Sequence, residues 1–208
     1  PARLFLMKVR LERHAAPPNG RNPPLVNQVL EKKEYVLDGS GKWEMAGADY
    51  AQRDGTQLRL RLRRAEPGIE VVLLRPDGKR HQKFFAYSKS DFAAARDKPD
   101  VRIGANTVKV EQRDGELPVY EIDVKEKDFA CHLKYTAEVN GWKPGTGLSH
   151  FGDLGFFGWV IPFARASVEG TITDGDSTLQ VKGIGYHDHN WLNFPFQTII
   201  KYWMWGRI

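Results

Sequence analysis

The sequence predicts an all-β domain, on three observations. Apolar and polar residues alternate along most of the chain, Asp-Gly pairs punctuate that alternation, and only one short stretch has a helical composition. Alternation marks a strand because successive side chains leave the pleated backbone on opposite faces. Asp-Gly marks a tight turn because glycine takes the positive φ such turns need. No linker-like segment divides the 208 residues, so residues 1–208 are expected to form a single domain.

In chain order, Arg3–Glu12 reads as a first strand with one mostly apolar face. A loop follows from His14 to Val26, where Pro17-Pro18 and Pro23-Pro24 oppose regular structure. Strands are expected at Val29–Leu37, Trp43–Tyr50, Gln57–Arg64, Ile69–Arg75 and Lys83–Tyr87, with turns at Asp38-Gly39, Asp54-Gly55 and Asp77-Gly78. Ser90–Arg96 is the expected helix, because Ser90 can cap it and Ala93, Ala94 and Ala95 favour it. Strands resume at Asn106–Gln112, Val119–Val124 and Phe129–Val139, with a turn at Asp114-Gly115. The glycine-rich, aromatic stretch Gly141–Gly158 fits either a loop over a pocket mouth or a strand edge softened by glycine. The last strands are Trp159–Phe163, Ala166–Thr173, Thr178–Tyr186 and Thr198–Gly206, with a turn at Asp174-Gly175. About a dozen strands and one helix point to an antiparallel β-barrel or sandwich.

Composition narrows the function. Hydrophobic residues are 41% of the chain, enough for a real core. The net charge of +5 is spread along the chain, without the concentrated basic stripe of a nucleic-acid binder. Arg59, Arg61, Arg63 and Arg64 alternate with Leu58, Leu60 and Leu62, which describes the wet face of a strand. Nucleic acid is therefore not an expected partner. With one cysteine, Cys131, no internal disulfide is available. Cys131 alternates with Leu133 and Tyr135 as a core residue would, and His132 beside it falls on the other face. No apolar run approaches the ~20 residues of a transmembrane helix. A soluble, cytoplasmic protein is the expectation, although the chain opens Pro-Ala-Arg without methionine. There is no phosphate-binding glycine loop and no Gly-x-Ser-x-Gly elbow.

The segment with chemistry is Lys182-Gly183-Ile184-Gly185-Tyr186-His187-Asp188-His189-Asn190-Trp191. If it is extended, His187, His189 and Trp191 share one face, and Tyr186, Asp188 and Asn190 the other. Three roles compete. His-x-His is a metal-ligand spacing, with His150, His132 or Asp153 as conceivable third ligands. Asp188 and the histidines could instead fix neighbouring loops by hydrogen bonds. Or Asp188, among aromatic rings, keeps its proton near neutral pH and acts as a general acid. Trp191, Phe194, Phe196, Tyr202, Trp203 and Trp205 follow closely, and aromatic faces stabilise a nearby cation. Trp203 and Trp205 would share a face.

These residues carry a resemblance. Gly158-Trp159-Val160-Ile161-Pro162, Val168-Glu169-Gly170, Val181 through Trp191, and Trp203-Met204-Trp205-Gly206-Arg207 occur in the order seen in carotenoid 1,2-hydratases, also called hydroxyneurosporene synthases. The block also resembles AttH-type lipocalin-like proteins, fungal kievitone hydratase and lipocalin-like Diels–Alderases. The Gly-Tyr-His-Asp-His-Asn-Trp string is the specific part; upstream, Val101-Arg102-Ile103-Gly104 matches only in general pattern. The resemblance implies a lipocalin-like barrel, the first of the family's two, with the motif facing the region where the two meet. It implies an apolar isoprenoid, polyene or polyketide ligand, and water added to an isoprenoid double bond without a cofactor or metal. Asp188 and His189 would be catalytic, with Tyr186, His187, Asn190, Trp191, Trp159, Trp203 and Trp205 binding substrate. A pericyclic cyclase and a non-catalytic lipid or pigment carrier are the alternatives. Leu192 stands where the family has glycine, and the sequence ends at Ile208, before any second barrel. A longer parent protein, or a homodimer whose second copy replaces that barrel, would follow.

Overall fold

The computed structural model describes residues 9–10, 43–51, 57–63, 67–95, 98–111, 115–194 and 202–203. Fourteen strands run β1 Val9–Arg10, β2 Trp43–Ala51, β3 Gln57–Arg63, β4 Gly68–Leu74, β5 Arg80–Ala86, β6 Phe92–Ala94, β7 Asp100–Ile103, β8 Asn106–Glu111, β9 Val119–Glu126, β10 Phe129–Ala137, β11 Leu148–His150, β12 Phe156–Asp174, β13 Ser177–Leu192 and β14 Tyr202–Trp203. The Asp77-Gly78 and Asp174-Gly175 turns stand where the sequence places them, with φ of 83° at Gly78 and 60° at Gly175. The expected strand at Val29–Leu37 and the Asp38-Gly39 and Asp54-Gly55 turns lie outside the described residues, as do most of Arg3–Glu12 and of Thr198–Gly206.

Three expectations are corrected. Ser90–Arg96 is not a helix: a single 3-10 turn at Lys89–Asp91 leads directly into β6. The Asp91 carboxylate takes hydrogen bonds from the Ser88 amide at 3.0 Å and the Ser88 hydroxyl at 2.6 Å, which closes the turn locally. Beyond it, Phe92 packs on the core, and Phe92, Ala93 and Ala94 pair with Ile103, Arg102 and Val101. Tertiary pairing thus overrides the helical preference of alanine. Second, Trp159–Phe163 and Ala166–Thr173 are one 19-residue strand, β12. Its register against β13 slips between Val160 and Ala166, around Pro162, which has no N–H to give the ladder. Third, β13 does not stop at Tyr186 but runs to Leu192, so the whole motif is strand.

All but β1 and β14 form one twelve-stranded sheet in the order β5-β4-β3-β2-β13-β12-β10-β9-β8-β7-β6, with β11 beside β12. Every pairing in it is antiparallel. Among the described residues no main-chain pairing joins the β5 edge to the β6 edge, so the barrel is not closed. The sheet curls instead, and its two wings share one core that runs from Leu60, Ile69 and Leu73 to Ile103, Ile122, Leu133 and Ile172.

Side chains span the opening. After β5, the Tyr87 hydroxyl bonds the Glu126 carboxylate, and the buried Asn106 amide donates to both at 2.8–2.9 Å. Lys83 donates to the Asp128 carbonyl at 2.9 Å. The buried Asp174 carboxylate, at the end of β12, meets Arg75 at 2.8 Å and His81 at 2.5 Å.

Candidate functional site

Strand β13 changes character along its length. In its first half one face is wet: Lys182 is exposed and Ile184 is 44% exposed. Two residues on, Tyr186 continues that outer face yet is only 5% exposed. Strand β12 changes in the same place. Arg165, Ser167 and Glu169 are open to solvent, whereas Phe157 and Ile161 are 8% and 9% exposed. Phe157 pairs with Leu192 and Trp159 with Asn190, which puts Phe157, Trp159 and Ile161 on the face of Tyr186, Asp188 and Asn190. The distal end of the β12–β13 hairpin is therefore buried or half-buried on both faces.

On the inner face, His187 is edge-on to Tyr120 at 5.1 Å and to Phe163 at 6.2 Å, and those two rings are 4.3 Å apart. His189, equally buried, lies 5.1 Å from the Trp191 ring. Glycines make room for these rings. A Cβ on Gly158 would stand 2.2 Å from the Trp191 indole, and one on Gly185 would stand 2.3 Å from the Tyr135 ring. What comes close to Gly185 is therefore side chain, the Tyr135 ring and Val168.

On the outer face, Asp188 is half-buried, and the Tyr186 hydroxyl lies 3.4 Å from its Oδ2. Gly47 of β2 is its register partner. Trp159 and Trp142 pack edge to face, 5.5 Å apart at 79°. Trp142 is fixed by two main-chain bonds with Ile161, of 2.8 and 2.7 Å. The Trp159 indole N–H is buried and meets no acceptor among the described residues.

The expected site residues therefore divide. Asp188, Tyr186, Asn190 and Trp159 come together on the outer face, while His187, His189 and Trp191 sit on the inner one. Asp188 and His189 do not share a face. Trp203 is described only by its register opposite Val9, and Trp205 and Phe196 lie outside the described residues. The Gly141–Gly158 stretch is a strand edge where β11 pairs with β12, followed by a 3-10 turn at Gly152–Leu154. Among the described residues no three His, Cys, Asp or Glu side chains are placed to hold a metal, and His132 instead meets Asp123 at 3.0 Å. Cys131 is sealed in the core, and burial pushes its thiol up to about 12. No helix among the described residues is long and apolar enough to cross a membrane.

Sequence reasoning missed Trp142 as the partner of Trp159, and the cluster around Asp174. Trp142 has a visible signal, being the tryptophan of the glycine-rich stretch. The Asp174 cluster has none, because Arg75 and Asp174 are separated by 99 positions.

No protein-family model matches the chain. A 55-residue stretch is 38% identical to the hydroxyneurosporene dehydrogenase of Chlorobaculum tepidum, covering 24% of this chain and 14% of that protein. Two crystal structures share the fold. An AttH-type protein of Nitrosomonas europaea superposes with a TM-score of 0.59 at 17% identity, over 84% of this chain and 59% of that one. Kievitone hydratase of Nectria haematococca superposes with a TM-score of 0.55 at 14% identity, over 90% of this chain and 56% of the other. The chain thus spans little more than half the length of these structures, and a small part of the dehydrogenase. The resemblance carried by the motif holds at the level of fold: a β-rich, antiparallel, lipocalin-like architecture with an open barrel.

Proposed function

We propose that the outer face of the distal β12–β13 hairpin binds an apolar, isoprenoid-type small molecule and hydrates one of its double bonds, with Asp188 as the proton donor. One observation carries this: Asp188 stands half-buried on a face whose neighbours, Tyr186, Phe157 and Ile161, are almost fully withdrawn from water. A carboxyl at the edge of an apolar face is placed to pass a proton to an alkene bound there. Fold likeness to a hydratase supports the same direction.

The chemistry balances without a cofactor. The Asp188 carboxyl gives its proton to the less substituted alkene carbon, leaving a tertiary carbocation on the other. Water adds to that carbon and returns a proton to the carboxylate. The product is a tertiary alcohol and the acid is regenerated. Trp159 and Trp142 would meet the cation with aromatic faces, and the Tyr186 hydroxyl would orient Asp188. His189, on the inner face, would act at a distance by holding Trp191 and the strand. Asn190 would hold the water, and His187 would keep the inner aromatic cluster in register.

The test is turnover of a prenylated phenol or a polyene by wild type and Asp188→Asn. General acid catalysis contributes about 10²–10⁴-fold, so the variant should lose at least ~10²-fold of its rate while still binding. The product should gain the mass of one water. A product of unchanged mass would indicate a cyclase, and binding without conversion a carrier; either would remove the hydration step, as would an Asp188→Asn variant of full activity.

A further inference from the structure

The Trp159 indole Nε1–H is a hydrogen-bond donor shut away from water with no acceptor among the described residues. Leaving a buried donor unpaired costs roughly 1–3 kcal/mol, which is why native proteins hold few of them. The ring is also not placed at random. Its edge-to-face contact with Trp142 fixes its plane, and Trp142 is itself held by paired main-chain bonds to Ile161. Main-chain bonding fixes the strand beneath the ring as well, since the Trp159 amide donates to the Gly147 carbonyl at 2.8 Å. The donor therefore cannot readily turn to solvent. It lies on the face that carries Asp188, directly across the ladder from Asn190.

We infer that Trp159 Nε1–H is the polar anchor of the ligand site, and that it takes the acceptor oxygen of an otherwise apolar molecule, a hydroxyl or carbonyl. The inference rests on the proposed apolar-ligand site and narrows its ligand class to oxygenated isoprenoids, leaving out hydrocarbons. A hydrocarbon would leave the donor as it is in the free protein, whereas an oxygenated ligand relieves its desolvation cost on binding. The preference between two ligands of equal length should therefore come from this one bond.

Farnesol and the hydrocarbon farnesene form a matched pair of probes. In wild-type protein carrying ¹⁵N-tryptophan, farnesol should move the Trp159 indole N–H resonance downfield and farnesene should not. The Trp159→Phe variant, which keeps an aromatic ring and removes the donor, identifies that resonance. It should weaken farnesol binding about tenfold more than it weakens farnesene binding. If both probes bind wild type and the Trp159 signal moves with neither, the anchor is overturned while the apolar site stands. If neither probe binds wild type, the proposed function falls and the anchor with it. Should Trp159→Phe fail to fold, the wild-type resonance decides alone, identified by its loss in Trp159→Tyr or by its contact with the Trp142 ring.

Discussion

At the scale of single residues, alternation carried much of the information. It put Cys131 in the core and Arg59 on the wet face, because side-chain direction in a strand follows directly from position. The burial of Cys131 has a chemical consequence. A thiol held at about 12 is almost wholly protonated at neutral pH, and the thiolate is the reactive form. Labelling by a maleimide at neutral pH should therefore proceed no faster than global unfolding and become rapid in denaturant; fast labelling of the native protein would put Cys131 outside the core. At Gly185 a Cβ would meet both the Tyr135 ring, at 2.3 Å, and Val168, at 2.4 Å. Gly185→Ala should destabilise the protein by about 1–3 kcal/mol, the usual cost of overpacking, read from urea unfolding. A neutral result would mean that Tyr135 moves freely aside. The division of the motif between two faces was also legible from spacing. Which face was buried was not, since burial of Tyr186 depends on what covers it.

At the scale of elements, strands of ordinary length and the Asp77-Gly78 and Asp174-Gly175 turns were readable, whereas the unbroken length of β12 and β13 and the short segment at Ser90 were not. Three alanines favour helix only where nothing else competes, and the main-chain partners offered by β7 compete successfully. The polar contacts across the open side of the sheet were equally hidden, because they join residues remote in sequence. Asp174 is the most consequential of them. Burial works to raise its carboxyl; the Arg75 hydrogen bond, the charge and hydrogen bond of His81 and the Arg75 charge outweigh that and hold it below its ordinary value of 3.8. A carboxyl depressed in the folded state stabilises that state above its unfolded pKa, and the contribution is lost as pH falls through the folded one. Asp174→Asn should therefore cost roughly 1–3 kcal/mol at neutral pH, and the gap to wild type should shrink in acid below about pH 4. Urea unfolding across that range checks it. A gap that stayed constant into strong acid would show that the side chain serves by shape alone.

For the molecule as a whole, composition and turn spacing announced a β-rich chain but could not announce strand order. Hairpin neighbours such as β4 and β5 follow from the Asp77-Gly78 turn, whereas β2 must cross to β13, pairing Trp43 with Leu192 and Ala51 with Ile184. Nothing local in either segment names the other. The resulting sheet is asymmetric in protection. Strands β10, β12 and β13 are bonded on both sides, whereas β5 and β6 each have one partner strand among the described residues. Strand β6 is three residues long, and β5 is mostly exposed. Amides opened only by global unfolding exchange slowest, and those at frayed edges exchange first. Hydrogen exchange should thus rank the amides of β12 and β13 as slowest, those of β6 as fastest, and those of β5 between them, since Tyr87, Lys83 and His81 tether that wing. Removing a tether should move β5 selectively: Asp174→Asn should speed exchange in β5 and leave β6 unchanged. Equal, deep protection of β5 and β6 would overturn the picture, because such amides would need partners on their free sides, and the two edges would then be paired in solution into a closed barrel.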